Sequence, residues 1–530
     1  MASPMEGREG PESIPAKVVG LETRGGSLVR RGIGEIGFVM AVTLVGGWLR
    51  FRALGRDSLW FDEVMSALQA QLPFWDLLRS VRRSVHPPLY YLLLHGTLTL
   101  GDSEVVLRIP SALFGTLSIP ALYLLGRAWF SWSVGALAAL LLAISPFHLW
   151  HSQDAKMYSL LTFEGIASWY LFARLLAVSR VSLWVGYVLA SEAILYTHYY
   201  GLLLLLPQTG VVVLLRYRGE IDASFTARWL RAQAGLALLF VPWLLVAGPS
   251  IEFERLRWIE KLPPLSQVGL ALVGLTGGYR VHYWEAIGLP QVSRAIVWLQ
   301  GALILGLAII GLVQDNGGNW RNPRAALRER PVLLCLGYFV APIVMVLSIS
   351  LLRPLLVPRH LLMTAPAFFL LVALGLSRLL PKRTIIPGAA LLVLLLVPGT
   401  VARLSTPRTP DHRGVAALIA GEATPGDVLL VYEEHPRRLL EYYLRTRESE
   451  FKWCPRSLRD TSLEATRRCL DGVRRVWLVS GEEAGGEKHT DVQAALETQF
   501  KSVRSEGLFR ARVSLYERWE PGTQGAGENG

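Results

Sequence analysis

The chain has 530 residues, 52% of them hydrophobic, and a formal charge of +12 at pH 7. Apolar runs of about twenty residues recur along it, which excludes a soluble globular enzyme and marks a polytopic membrane protein. The excess charge is mostly arginine lying between those runs, so it reports topology and contact with anionic lipid, not nucleic-acid binding.

Residues 1–30 are rich in Gly, Pro, Ser and charge without periodicity, and read as a disordered cytoplasmic N-terminus. Arg30 and Arg31 precede the first apolar run, Ile33 to Leu54, and hold that end inside. No convincing small-residue cleavage site follows, so this run is an uncleaved span. From Gly55 to Arg108 the pattern changes. Met65 to Leu72 and Phe74 to Val81 are short amphipathic pieces, and Leu89 to Leu100 is apolar but short for a span. This reads as a long outer loop of helices lying at the interface. Were Leu89 to Leu100 to cross, everything downstream would invert. The charge bias argues against that, because the loops carrying Arg127, Arg174, Arg180, the Arg216-to-Arg231 cluster, the Arg321-to-Arg330 cluster and Lys382-Arg383 otherwise all fall inside.

Ten further spans follow: Ile109–Trp129, Val134–Leu149, Tyr158–Leu176, Leu183–Thr197, Gly201–Leu215, Leu230–Gly248, Ala295–Val313, Val332–Leu352, Leu361–Leu380 and Ile385–Arg403. About eleven spans with the N-terminus inside put the C-terminus outside. The expected division is therefore a disordered segment 1–30, a transmembrane domain 31–404, a small α/β domain 405–519 and a Gly-rich tail 520–530. In the third part, strands are expected at Asp427–Tyr432, Arg475–Ser480 and Arg512–Tyr516. Helices are expected at Gly414–Ala420, Arg437–Leu444, Leu463–Leu470 and Val492–Phe500. Three cysteines are too few for a disulfide framework and have no metal-ligand spacing. Outside the membrane Cys454 and Cys469 can still bridge, closing a loop of about fifteen residues worth about 3 kcal/mol in the chain-entropy picture. Cys335, near the start of a span, is expected to have no partner.

With this orientation the notable polar groups fall on one face. Asp62, Glu63 and His86 lie in the first outer loop. His148, His151, Gln153, Asp154 and Lys156 lie in the next outer turn, and Tyr196, His198, Tyr199 and Tyr200 in a third. Arg353, Arg359 and His360 occupy a later one. Such convergence favours an outward-facing active site over a transport path, which would carry ionisable groups at mid-membrane. Blander readings stand beside each member. Asp62 and Glu63 suit the start of any surface helix, His148 and His151 suit interfacial packing, Lys156 can snorkel to headgroups, and the tyrosines around His198 suit an aromatic belt. Arg359, fixed behind Pro358 at the mouth of a span, suits a phosphate at headgroup level. Asp62 and Asp154 carry oxygens of the type that magnesium or manganese prefers, without a dedicated cage.

Several motifs together resemble bacterial membrane glycosyltransferases of the family 39 type. They are Leu59-Trp60-Phe61-Asp62-Glu63, His86-Pro87-Pro88-Leu89-Tyr90-Tyr91, Arg108-Ile109-Pro110-Ser111-Ala112-Leu113-Phe114-Gly115, Ser145-Pro146-Phe147-His148, Ser152-Gln153-Asp154-Ala155-Lys156-Met157-Tyr158 and Tyr196-Thr197-His198-Tyr199. Such proteins are similar to protein O-mannosyltransferases and the lipid A aminoarabinose transferase. The resemblance implies the GT-C fold, an all-α transmembrane bundle with juxtamembrane helices in its first outer loop, and a polyprenyl-phosphate-linked sugar as donor. It implies that Asp62 is the catalytic base with Glu63 beside it, and that Arg359 contacts donor phosphate. His360 and Lys156 are expected to assist at the phosphate, and His86, Asp154, Tyr158, His198 and Tyr90 to line the substrate. Two departures are visible. The turn usually reads Ser-Gln-Glu-Ala-Arg-Met-Tyr, where this chain has Asp154 and Lys156, and the late motif is usually Arg-Tyr, where it has Arg359-His360. The expected activity is inverting transfer to a hydroxyl of a glycan, lipid or protein on the outer face of the plasma membrane. No nucleotide is involved, in keeping with the lack of a phosphate-loop or dinucleotide fingerprint. A transferase of whole lipid-linked glycans and a non-enzymatic lipid-linked-sugar transporter are the alternatives.

Overall fold

The computed structural model describes residues 28–250, 259, 263–278, 290–314, 329–431, 433–455, 463–481 and 487–519. The expected loose N-terminus up to residue 27, the tail from residue 520 and the basic cluster over 321–328 lie outside the described residues. The chain begins with α1 (Leu28–Phe51). The long loop that follows forms α2 (Phe61–Ala70), α3 (Phe74–Val81) and α4 (Leu89–Thr97), none long enough to cross a bilayer. The bundle continues through α5 (Glu104–Trp129), α6 (Trp132–Ile144), α7 (Pro146–Ser152), α8 (Tyr158–Ala177), α9 (Val181–Thr197), α10 (Leu202–Tyr217) and α11 (Ala223–Ala247). It is completed by α12 (Pro264–Val273), α13 (Pro290–Val313), α14 (Arg330–Leu352), a 3-10 stretch Pro358–Thr364, α15 (Ala365–Leu379) and α16 (Ile385–Ser405).

Eight helices among the described residues are long and apolar enough to span, against the eleven expected. Three expected spans make the difference: Val134–Leu149, Leu183–Thr197 and Ala295–Val313. Val134–Leu149 is not one rod: α6 and α7 meet at 62°, where Pro146 opens α7 and the Ser145 hydroxyl caps it by accepting from His148 N–H. α9 stops at 17 residues, whereas α13 runs 24 residues from Pro290 to Val313, long enough to cross, and is apolar over Val297–Val313. Where α13 and α15 cross, the backbones nearly touch: a Cβ on Gly375 would lie 1.8 Å from Leu307 O, and one on Gly311 would lie 2.3 Å from Leu371 O. The Pro358–Leu379 segment is 94% buried, while the spans Ala223–Ser250 and Lys382–Ser405 are only 22% buried. The mouth of that central span therefore opens in the middle of the bundle, and Arg359 and His360 sit on it.

Beyond α16 the chain forms α17 (His412–Glu422), β1 (Val428–Leu430), α18 (Glu434–Tyr443), β2 (Lys452–Cys454), α19 (Leu463–Leu470), β3 (Arg475–Gly481), α20 (Glu487–Glu497), β4 (Phe500–Leu508) and β5 (Ala511–Arg518). The sheet order is β2-β1-β3-β5-β4, with β1 parallel to β2 and β3, and β5 antiparallel to β3 and β4. Alternation divides its two faces. Leu429, Trp477, Val513 and Leu515 pack with α17 and α18, whereas Val428, Leu430, Val476 and Leu478 pack toward α19 and α20. Three strands were expected and five are found. β2 is only three residues long, and β4 is a polar edge strand carrying Lys501, Arg504 and Glu506, so neither has an apolar signature. Phe500, expected to end a helix, opens β4 instead. Cys454 and Cys469 are paired, with Cα atoms 5.9 Å apart, and Cys335 is a buried free thiol.

Candidate active site

Trp60 precedes the first turn of α2, and Glu63, three residues on, accepts its backbone N–H at 3.2 Å. That ties Glu63 inward. Its Oε1 also accepts Arg108 Nε at 2.7 Å and Ala155 N at 2.8 Å, and its Oε2 accepts Arg108 Nη2 at 2.7 Å. Both side chains are fully buried. The Arg108 fork is completed by the carbonyls of Leu54, Asp57 and Ser58. Glu63 is thus a brace between the start of α2, α5 and the 153–157 turn, with no oxygen left for an acceptor. This corrects the expectation that it shares the catalytic position. Arg108, within a motif visible in the sequence, was not assigned a role there because its partner lies 45 residues away.

Asp62 points the other way. Its carboxylate is 29% exposed and its Oδ2 lies 3.7 Å from Arg359 Nη2, itself 24% exposed. The same guanidinium stands 5.7 Å from the Trp60 ring centre. Trp60 is held in turn by Asp154, whose Oδ1 accepts the indole N–H at 2.7 Å. Asp154 is fully buried and lies 3.6 Å from His151 Nδ1. Burial alone would raise its pKa, but His151, Arg408 and Trp60 hold the carboxyl below its usual range. Asp154, expected to line the substrate, thus orients Trp60 from behind with no surface of its own exposed. Of the two carboxylates named for a metal, Asp154 gives Oδ1 to the Trp60 indole and Asp62 faces Arg359. No group of three or more His, Cys, Asp or Glu able to hold an ion stands together among the described residues.

Lys156 is buried at the start of α8. Burial would lower its pKa, but the fields of Tyr91, Asp62, Tyr158 and Asp154 raise it, so it is a cation. Behind it three imidazoles from distant segments meet. His86 and His198 have ring centres 4.9 Å apart, and His198 and His360 5.4 Å. Tyr158 lies 6.3 Å from both His198 and His360, and Tyr200 stacks on His360 at 4.4 Å. His198 accepts Tyr200 N–H on Nδ1 at 3.0 Å, leaving its buried Nε2 without a hydrogen-bond partner. Burial, with the positive charges of Arg359 and Lys156 behind it, takes His198 down to about 3. Burial and the same surroundings push His86 well below its usual value. Both are neutral and can donate and accept. Tyr90 is absent from this group: its ring is fully buried and its hydroxyl pairs with Ser111 at 2.9 Å, in the core built by α2, α3 and α4. His148 likewise packs inside, accepting from Arg50 at 2.8 Å.

A partly open carboxylate, two cations and a cluster of neutral imidazoles thus share one end of the bundle. The family described as dolichyl-phosphate-mannose-protein mannosyltransferase matches residues 85–245. No protein of curated function matches the chain by sequence. Among solved structures, ArnT from Cupriavidus metallidurans in the apo state is similar, with a TM-score of 0.57 and 15% identity over 92% of this chain and 98% of that one. The same protein bound to undecaprenyl phosphate gives 0.56 and 16% over 91% and 98%. An oligosaccharyltransferase from Archaeoglobus fulgidus, in complex with Zn and sulfate, gives 0.52 and 12% over 89% and 73%. The chain is a multi-pass membrane protein with the GT-C fold, similar to membrane glycosyltransferases, as its motifs led one to expect.

Proposed function

We propose that this protein moves a sugar from a polyprenyl-phosphate-linked donor to an acceptor hydroxyl at the outer face of the plasma membrane, with inversion and with Asp62 as general base. One observation carries the reading: Asp62, the partly open carboxylate of its pair, faces the Arg359 guanidinium at 3.7 Å on the mouth of the central span. The acceptor oxygen attacks the anomeric carbon while its proton passes to Asp62. The bond from that carbon to the phosphate oxygen breaks, and its electron pair stays on the lipid phosphate. Arg359 and Lys156 stabilise the charge developing there, since two cations at a leaving group are worth most in a dry site. The loose contact between Arg359 and Asp62 lets the guanidinium turn to phosphate when donor binds. His86, His198 and Tyr158 meet sugar hydroxyls with groups that donate or accept, and His360 stands beside Arg359 at the phosphate. Sidedness rests on the arginine-rich loops at the other ends of the helices. The acceptor, whether glycan, lipid or protein, shares only the hydroxyl that the base requires.

The test uses purified protein and a lipid extract from a strain lacking it, in which the natural donor accumulates. Wild type should release free polyprenyl phosphate, and Asp62→Asn should release it about two to four orders of magnitude more slowly, with undecaprenyl phosphate still bound. Near-normal turnover by Asp62→Asn would remove the base from this carboxylate.

A further inference from the structure

The segment that delivers Asp62 is held by Arg108 through the carbonyls of Leu54, Asp57 and Ser58, and residue after residue by the far end of the chain. Gly55 and Arg56 carbonyls accept from Arg413 Nη1 and Nη2, each at 2.9 Å. The Arg56 guanidinium donates to the carbonyls of Leu404 and Thr406. Asp57 pairs with Arg408 at 2.8 Å, both side chains nearly fully buried. The Ser58 hydroxyl donates to Asp411 at 2.8 Å and accepts Arg413 N–H at 3.1 Å, while its carbonyl accepts from Thr409 at 2.7 Å. Leu59 N–H donates to the Tyr443 hydroxyl at 2.7 Å, and that hydroxyl donates to Glu104 at 3.0 Å. Finally the Phe61 ring lies 4.3 Å from His435. Each residue from Gly55 to Leu59, and then Phe61, has a partner beyond residue 403. Glu63 is braced from the other side by Arg108. Asp62 sits between two fixed neighbours, so its place follows from theirs.

We propose that the C-terminal domain is a positioning part of the active site, with Tyr443 fixing the start of α2 through Leu59 N–H and so setting where Asp62 meets the acceptor. This rests on reading Asp62 as the base. Tyr443 touches no reacting atom and acts through the helix it anchors. Removing its hydroxyl leaves Leu59 N–H and Glu104 each without that partner and lets the first turn of α2 drift, and a misplacement of about 1 Å in a reacting group costs up to about a hundredfold in rate.

The experiment uses the full chain and the same lipid extract. Tyr443→Phe should lower turnover about tenfold, with unchanged KM for the extract, unchanged undecaprenyl phosphate binding and unchanged melting temperature. Amide exchange over residues 55–66 should become faster. Combined with Asp62→Asn, Tyr443→Phe should cost nothing further, because a residue acting through Asp62 has nothing left to position. Arg438→Ala, on the solvent side of the same helix and bonded only to Glu441 at 3.1 Å among the described contacts, should match wild type. Unaltered turnover in Tyr443→Phe would overturn the proposal. So would an equal loss on both backgrounds, or a loss that travels with a raised KM or a lowered melting temperature. Full turnover in Asp62→Asn would remove the base reading and this proposal together, and is told apart by which variant fails.

Discussion

Glu63 commits both carboxylate oxygens to Arg108, Ala155 and Trp60, while Asp62, one residue earlier, keeps an edge toward Arg359. Substitution should separate the two by stability. Glu63→Gln leaves a buried guanidinium without its counter-charge and should destabilise the protein by about 3 to 5 kcal/mol, so its loss of activity comes with a lower melting temperature. Asp62→Asn should lose activity at an unchanged melting temperature. A stable, inactive Glu63→Gln protein would reverse the assignment. At Arg359, lysine keeps the charge but not the fork. Arg359→Lys should therefore bind undecaprenyl phosphate more weakly than wild type and more tightly than Arg359→Ala, and equal affinities in all three would reduce Arg359 to a topology marker. Asp62, Glu63 and Arg359 are candidates from the sequence because acids and arginines at bilayer depth are rare. The choice of Asp62 over Glu63 comes from the resemblance and not from local pattern, since the inward turn of Glu63 is set by Arg108 from 45 residues away.

Among the helices, the tightest approach is the crossing of α13 and α15. Gly375→Ala puts a methyl into the Leu307 carbonyl and should cost roughly 1–3 kcal/mol or more through overpacking, read as earlier unfolding in detergent. Gly306→Ala, in the same α13 but with nothing within 4 Å of its Cβ, should unfold with wild type. Hydropathy announced these helices and their order, yet neither glycine stood out, because close packing depends on what crosses and not on local pattern. The kink between α6 and α7 was written in Ser145-Pro146, but an apolar window from Val134 to Leu149 runs straight over it. In the sheet, β1, β3 and β5 carry alternating or continuous apolar residues and were legible, whereas edge strand β4, with exposed positions through most of its length, offered no such signal.

At the level of the whole molecule, the membrane bundle and the C-terminal domain are joined through buried charge. Burial alone would raise Asp57, but the Arg408 charge and the hydrogen bonds from Arg56 and Arg408 bring it down to about 2. A carboxyl held below its unfolded value, near 3.9, adds stability that is complete above that value and fades as pH falls toward the folded one. Melting temperature should therefore drop more steeply between about pH 4 and pH 2 in wild type than in Asp57→Asn; parallel slopes would show that the pair does not link the two parts. Nothing in the sequence pointed to this pairing, since its members stand 351 residues apart.

That separation also has a consequence in time. A ribosome adding roughly 5–20 residues per second needs on the order of 20 to 70 seconds to pass from the Asp57 codon to the Arg408 codon. Throughout that interval the loop bearing Asp62 is already made and its C-terminal anchors are not. A chain inserted in the membrane but still being translated, or one cut short by premature termination before residue 404, would carry every residue of its first long loop and the Arg108 brace, yet lack the contacts made by Arg408, Arg413 and Tyr443. Under the proposed function, transfer would then begin only with finished molecules, and aborted products would lie idle in the membrane.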